Sequence, residues 1–325
     1  MGGGTPTQLE EADLVRLLGT IEWAEGAEVT IEANPEDLTA PLARALAAAG
    51  VTRVSLGVQS LDPAVLIGLG RRHDPAAVST AAEAIGAAGI SSYSVDLIYG
   101  GAGETDASFL ASLEGVLALE PAPSHVSAYG LTVEPGTPLW RDPARHPDDD
   151  VEARRYELAD ARLEAAGLRW YELSNWARPG HEARHNIGYW AEGDYLAIGA
   201  AAHGHRSGHR WWNLRTPERY VRAVAAGVRP VASEEHLGAR TRQLEALELA
   251  LRTRWGVPAL ALPTRDEALA GLLEPAEEEG RVRLTRRGRL LANEVAHRLL
   301  PFGTGSPESH GEGATITLCP TRSAG

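Results

Sequence analysis

Three polar side chains stand where short apolar runs stop. Glu32 closes the run 29–33, in Ile31-Glu32-Ala33-Asn34-Pro35. Gln59 follows the run 53–58, in Ser55-Leu56-Gly57-Val58-Gln59-Ser60, and Asp96 lies near the end of 93–98, in Ser94-Val95-Asp96-Leu97-Ile98-Tyr99-Gly100. One such residue is more often a cap or a turn residue than a ligand contact. Three at the ends of successive strands favour a shared mouth, because the carboxyl ends of parallel strands converge where ligands bind. A fourth piece is Gly2-Gly3-Gly4-Thr5-Pro6-Thr7, directly before an amphipathic stretch with Leu9, Leu14, Leu17 and Leu18. Glycines let a backbone approach a ligand closely and offer amides to its carboxylate or phosphate. A plain linker is the alternative for a glycine run taken alone.

Two further groups could do chemistry. His203, His205 and His209 form H-x-H-x-x-x-H, a spacing open to a metal ion, and His203 could serve as a ligand on its own. The preceding stretch 196–202 reads as a buried Gly/Ala-rich turn, so these histidines are expected to be structural or solvent-facing. Cys319 is the one cysteine of the chain, in a Gly/Ser/Pro-rich stretch after Pro301 that reads as a disordered tail. One cysteine makes neither an internal disulfide nor a cysteine-held cluster.

The elements that must position these residues follow a strand–helix rhythm to about residue 175. Strands are expected at 29–33, 53–58, 93–98, 125–129 and 170–173. Helices are expected after Thr39, after Asp74-Pro75, after Asp106, and from Asp150 to Gly167. Such a rhythm implies parallel strands joined by crossover helices, as an open sheet or a barrel with both faces covered. From about Thr216 helices take over: 240–252, 265–278 and 290–300, with a hairpin at 280–288. That suggests a small winged-helix-like module over 216–300, after a barrel over 1–215.

The chain has 325 residues, a net charge of −13 and no lysine among its 31 basic residues. An acidic surface of this kind makes nucleic acid a poor partner. No apolar run is long enough to span a bilayer and no signal segment opens the sequence, so the expected location is the cytoplasm.

The succession Gly-Gly-Gly-Thr-Pro-Thr, Ile-Glu-Ala-Asn-Pro-Glu, Leu-Gly-Val-Gln-Ser, Arg71-Arg72-His73 and Asp-Leu-Ile-Tyr-Gly resembles the radical S-adenosylmethionine proteins related to oxygen-independent coproporphyrinogen oxidase. The resemblance runs from Gly2 to about Leu300. It implies an α/β fold, a TIM-like barrel left partial, with a small C-terminal domain of the type that oxidase carries. It also implies that Gly3, Gly4, Thr5, Glu32, Gln59, Arg71, Asp96 and Gly130 contact S-adenosylmethionine. The family holds a 4Fe–4S cluster with three cysteines in a C-x-x-x-C-x-x-C loop upstream of the glycine run, and this sequence starts at the glycine run. The expectation is a truncated form, with the cluster present only in a longer one. Radical chemistry is not expected of the chain as written, and the lost barrel flank is expected to leave run 29–33 as an exposed sheet edge.

A second motif, His185-Asn186-Ile187-Gly188-Tyr189-Trp190, is similar to the H-N-x-x-Y-W signature of the heme-chaperone branch of that family. A neutral imidazole is a standard axial ligand of heme iron. On this reading His185 ligates the iron, and Asn186, Tyr189 and Trp190 belong to the heme site. Arg178 or Arg184 would pair with the propionates. The bland alternative is a loop whose His-Asn bonds the backbone while the aromatics pack in the core. The resemblance implies heme-acceptor proteins as partners, respiratory enzymes at the membrane among them, with a homodimer left open. The competing readings are a porphyrin-forming oxidase, which lacks the H-N-x-x-Y-W motif, and an inactive gene fragment.

Overall fold

A computed structural model describes residues 1–71 and 74–301 and divides the chain into two compact units, Met1–Glu182 and Ala183–Gly325. Arg72, His73, Cys319 and all but Pro301 of the expected tail lie outside the described residues.

The first unit is built on β1 (Thr30–Ala33), β2 (Arg53–Gln59), β3 (Ser92–Tyr99) and β4 (His125–Gly130), which pair in parallel in that order. Between and before them run α1 (Glu11–Leu18), α2 (Ala40–Ala48), α3 (Pro63–Gly68), α4 (Pro75–Ala87) and α5 (Asp106–Leu117). Local sequence starts these helices. Thr39 Oγ1 accepts from Leu42 N, Asp62 and Asp74 accept from their first-turn amides, and a proline follows each cap. The cap of α5 is Thr105, one residue before the expected Asp106, in a reciprocal capping box with Ser108.

The two sheet faces differ in chemistry. Val54, Leu56 and Val58 of β2 and Val95 and Leu97 of β3 are fully buried, as crossover helices require. The opposite face carries Arg53, Ser55 and Gly57, then Ser92, Ser94 and Asp96, then His125 and Ser127, matched row by row in the strand register.

The helix α6 (Asp149–Ala165), capped by Asp148, leads to a hairpin of β5 (Arg169–Glu172) and β6 (Asn175–Ala177). Here the expectation of five adjacent parallel strands needs correction. The order is β1-β2-β3-β4-β6-β5, and β6 pairs antiparallel with both β4 and β5. The turn at Leu173-Ser174 folds the chain straight back, and Ser174 O accepts from Ala128 N. As expected, β1 is the outer strand of the sheet, with Met1 hydrogen-bonded to Thr30 and Glu32 along its free side.

The second unit opens with α7 (Arg184–Trp190). It continues with a three-stranded antiparallel sheet of β7 (His203–Arg206), β8 (His209–Asn213) and β9 (Val231–His236), interrupted by α8 (Pro217–Ala225). This sheet places the contact division near residue 182, ahead of the change of sequence rhythm near 216. The helix α9 (Ala239–Leu251) matches its expectation closely.

One other expected helix is absent and another is broken in two. Over 265–278 a single 3-10 turn is capped by Asp266. Gly271 then takes a φ of +72° and the strand β11 (Leu273–Pro275) begins. The strand β11 pairs with β12 (Arg281–Leu284), so the hairpin expected within 280–288 lies earlier in the chain, and β12 also pairs with the short β10 (Val257–Pro258). The last helix is two short ones, α10 (Arg286–Leu290) and α11 (Ala292–Ala296), separated at Leu291 with φ −113° and ψ 26°.

Candidate functional site

The strand ends of the first unit bring several of the expected residues together. Gly2 lies against the Glu32 carboxylate so closely that a Cβ there would stand 2.4 Å from Glu32 Oε1. Gly3 has φ +85°, and a Cβ on Gly3 or Gly4 would meet nothing within 4 Å, so this backbone is open on that side. The run is anchored just beyond Thr5. Asp37 accepts from Thr7 Oγ1 at 3.4 Å and from Asn34 Nδ2 at 3.1 Å, which explains why Asn-Pro-Glu-Asp follows β1.

Gln59 also has a left-handed φ, +64°, at a bulge between Gly57 and Gln59. Such a conformation costs a non-glycine residue of order 1 kcal/mol or more and clusters at ligand sites. It turns the amide back over Gly57, where a Cβ would lie 3.1 Å from Gln59 Nε2.

Asp96 is the best-organised acceptor. Ser55 Oγ donates to Oδ2 at 2.7 Å, Ser127 Oγ donates to Oδ1 at 2.7 Å, and Ser94 Oγ donates to Oδ1 at 3.3 Å. Burial pushes its pKa above the usual carboxylate range, opposed by these three hydroxyls and by the charge of Arg53.

Gly130 ends β4 opposite Tyr99, beside a second carboxylate that the sequence did not single out. Glu152 of α6 lies over both Gly100 and Gly130, whose added Cβ atoms would stand 2.6 Å and 3.0 Å from its Oε1. That oxygen is buried without a hydrogen-bond partner among the described residues, and burial raises the pKa of the group. The two glycines flanking this acid, one in Tyr-Gly-Gly and one in Tyr-Gly-Leu, were the available signal.

Arg71 is exposed and follows α3, its amide bonded to Leu66 O. No described contact joins its side chain to the acceptors above.

In the second unit the H-N-x-x-Y-W motif forms α7 itself, where a loop was the alternative. Helical spacing puts His185 and Tyr189 on one face, with ring centroids 6.2 Å apart at 84°. Tyr189 continues to Tyr195 at 4.7 Å and 88°. His185 is exposed and Tyr189 is 47% exposed, so this is no core packing of aromatics. Asn186 and Trp190 share the neighbouring face. Trp190 Nε1 is a buried donor with no hydrogen-bond partner among the described residues.

The other histidines separate by role. His205 is 3% exposed, with Nδ1 3.0 Å from Gly193 O and Nε2 accepting from Gly208 N at 3.0 Å. It is therefore a structural pin of the β7–β8 turn. His203 stacks on Trp212, and His209 stacks on His236 at 4.2 Å. No group of three His, Cys, Asp or Glu residues suited to a metal occurs among the described residues. The stretch before them is not the buried turn that was expected: Leu196 and Ile198 are 74% and 76% exposed. Asn213 Nδ2 reaches Ala197 O and Gly199 O, and the backbone so held faces its apolar side chains outward.

A family model described as the Radical SAM superfamily matches residues 1–115. A heme chaperone HemW of Mycobacterium tuberculosis is 45% identical over 314 residues, covering 92% of this chain and 80% of the relative. The chain belongs to the HemW family. A HemW of Bacillus subtilis is 32% identical, over 91% of this HemW-family chain and 83% of that protein. Among solved structures, coproporphyrinogen III oxidase (HemN) from Escherichia coli, a radical SAM enzyme, superposes with a TM-score of 0.77. It shares 22% identity over 91% of this chain and 76% of its own. At that identity the match shows a shared α/β radical-SAM fold.

Proposed function

We propose that this chain is a heme chaperone: it binds heme at the α7 motif and passes it to acceptor proteins, on a scaffold that takes S-adenosylmethionine at the strand ends. The observation that carries the reading is the exposed His185 imidazole, edge-on to Tyr189 on a helix whose Trp190 keeps an orphaned donor. These residues fit heme. The His185 imidazole would ligate the iron, Tyr189 would supply an aromatic surface for the macrocycle, and the Trp190 N–H would donate to a carboxylate. Bound heme would supply the iron centre that the acceptor needs, and the chain's own part is to hold and release it. Release is served by exposure, since a ligand on the surface of a short helix can be exchanged for an acceptor's ligand without unfolding a core. The acceptors, respiratory or other, belong to this proposal.

The strand-end residues fit S-adenosylmethionine in their chemistry. The open amides of Gly3 and Gly4, with Thr5, would meet its amino-acid end, and Arg71 would pair with its carboxylate. Glu32, Gln59 and Asp96 would accept from its ammonium and ribose hydroxyls beside the Gly130 backbone. A cluster does not fit the residues of this sequence, which has one cysteine where three thiolates are needed. The oxidase reading rests on the fold alone, whereas the H-N-x-x-Y-W helix favours heme binding. No helix among the described residues is long and apolar enough to cross a membrane. A cytoplasmic site of action and contact with acceptors from the aqueous side are part of the same proposal.

The test is a hemin titration followed by the Soret band. The chain should give a saturable, shifted Soret band, and His185→Ala should raise the apparent Kd at least about tenfold, or about 1.4 kcal/mol. An unchanged spectrum and affinity in His185→Ala would remove the histidine from the site.

A further inference from the structure

Arg53 opens β2 and is 3% exposed, yet its Nε and Nη1 are buried without a hydrogen-bond partner among the described residues. A guanidinium keeps its charge at any ordinary pH, so burying one without an anion nearby would cost several kcal/mol. The strand register puts a buried acid on the same face, Asp96, two rows further towards the strand ends. Residues 53, 55 and 57 face the same way and pair with 92, 94 and 96, which in β4 meet 125 and 127. On that face Ser55 Oγ lies between the two charges, 2.8 Å from Ser94 Oγ and 2.7 Å from Asp96 Oδ2.

We infer that Arg53 is a positioning residue: the buried counter-ion beneath Asp96, which keeps that carboxylate an acceptor aimed at the mouth of the sheet. The inference rests on the strand-end reading proposed above. The three serine hydroxyls already fill both oxygens from the sides, so they fix the orientation of Asp96, but hydroxyls alone do not neutralise its charge. Arg53 supplies the charge from below without competing for the oxygens, since it makes no direct hydrogen bond to them. A ligand hydroxyl or ammonium arriving from the strand ends would find the second lone pair of Oδ2 open.

Other polar groups face Asp96 from the packed strands. They are Glu32 of β1, Ser55 of β2, Ser94 of β3, and His125, Ser127 and Tyr129 of β4, with Glu172 and Asn175 of the hairpin beside Tyr129. His125 Nε2 is 2.8 Å from Tyr171 Oη, facing away from the serines. Glu32 is exposed at the glycine run. Burial pushes a proton onto Asp96, and the hydroxyls and Arg53 oppose it.

The experiment is a carboxyl-carbon NMR titration of the whole chain, with the Asp96 signal assigned from Asp96→Asn, and calorimetry with S-adenosylmethionine across the same pH range. In Arg53→Gln the Asp96 midpoint should rise by about one pH unit or more. The pH below which S-adenosylmethionine binding is lost should rise in step. Arg53→Lys, which restores the charge, should bring the midpoint back most of the way. An unmoved midpoint in Arg53→Gln overturns the inference. If Arg53→Gln does not fold, the wild-type Arg53 Nε resonance decides. It should shift with the Asp96 midpoint and stay flat in Asp96→Asn, and a flat response in the wild type overturns the inference. Failure of the wild type to bind S-adenosylmethionine at any pH would sink the strand-end reading alone, because the carboxyl titration reads Arg53 without ligand.

Discussion

Arg155→Met is expected to lower the stability of the first unit by about 3–5 kcal/mol, the range for breaking a buried ion pair by removing one partner. Arg155 Nη1 donates to Glu104 Oε2 at 2.8 Å, and the two side chains are almost wholly buried. Arg155 Nη2 also donates to the Glu104 carbonyl, and Gly100 N donates to the same carboxylate at 2.8 Å. The pair thus ties the loop 100–104, at the carboxyl end of β3, to α6. Methionine fills much of the volume but leaves the Glu104 carboxylate buried with only the Gly100 and Gly101 amides as donors. Thermal unfolding followed by circular dichroism should show a drop of about 10 °C for a unit of this size. Adding Glu104→Leu should recover most of the loss, because an apolar pair of similar volume is often as stable as the ions it replaces. A drop under about 2 °C in Arg155→Met would mean that water reaches the carboxylate.

Asp96→Ala is expected to weaken S-adenosylmethionine binding by about 10- to 100-fold, the equivalent of one or two hydrogen bonds to a charged acceptor. Ser55, Ser94 and Ser127 all direct hydroxyls at this carboxylate, so its removal takes away the ligand's acceptor and leaves three donors and Arg53 facing a void. The same change should destabilise the unit by about 1–3 kcal/mol. Asp96→Asn keeps the shape and one acceptor, and should fall between wild type and Asp96→Ala in both measurements. Calorimetry at constant pH separates the two effects, since a folded variant with unchanged affinity would take Asp96 out of the ligand site.

Much of the first unit was legible because its strands are of one kind. Parallel strands covered by helices show apolar runs bounded by caps such as Thr39 and Asp74, and the polar residues that interrupt those runs, Gln59 and Asp96, stand out against them. The strand β6 escaped because three residues, Asn175–Ala177, carry no period, and its pairing is set by the Leu173-Ser174 turn. In the second unit the histidine spacing drew attention to metal chemistry, but the residues form a hairpin. Ser207 and Gly208 have φ values of +52° and +82° between paired strands, and Ser-Gly between two short runs was the signal for that turn. The expected helix 265–278 failed for a tertiary reason as well as the local turn at Gly271. A Cβ on Gly288 would lie 2.0 Å from Leu272 O, so the chain before β11 is held against α10 and cannot coil. The acid Glu152 was hidden because its role depends on contacts with Gly100 and Gly130, both far from it along the chain, and nothing beside it in the sequence marks it.

Heme transfer tests the central claim most directly. The chain loaded with one equivalent of hemin is mixed with an excess of an apo heme protein whose holo Soret band lies elsewhere, and the exchange is followed in the Soret region. The account predicts that the band of the loaded chain is replaced by that of the acceptor, and that His185→Ala never acquires a transferable band. Hemin that stays on the chain in the presence of acceptor, or that loads and transfers equally well from His185→Ala, would contradict it.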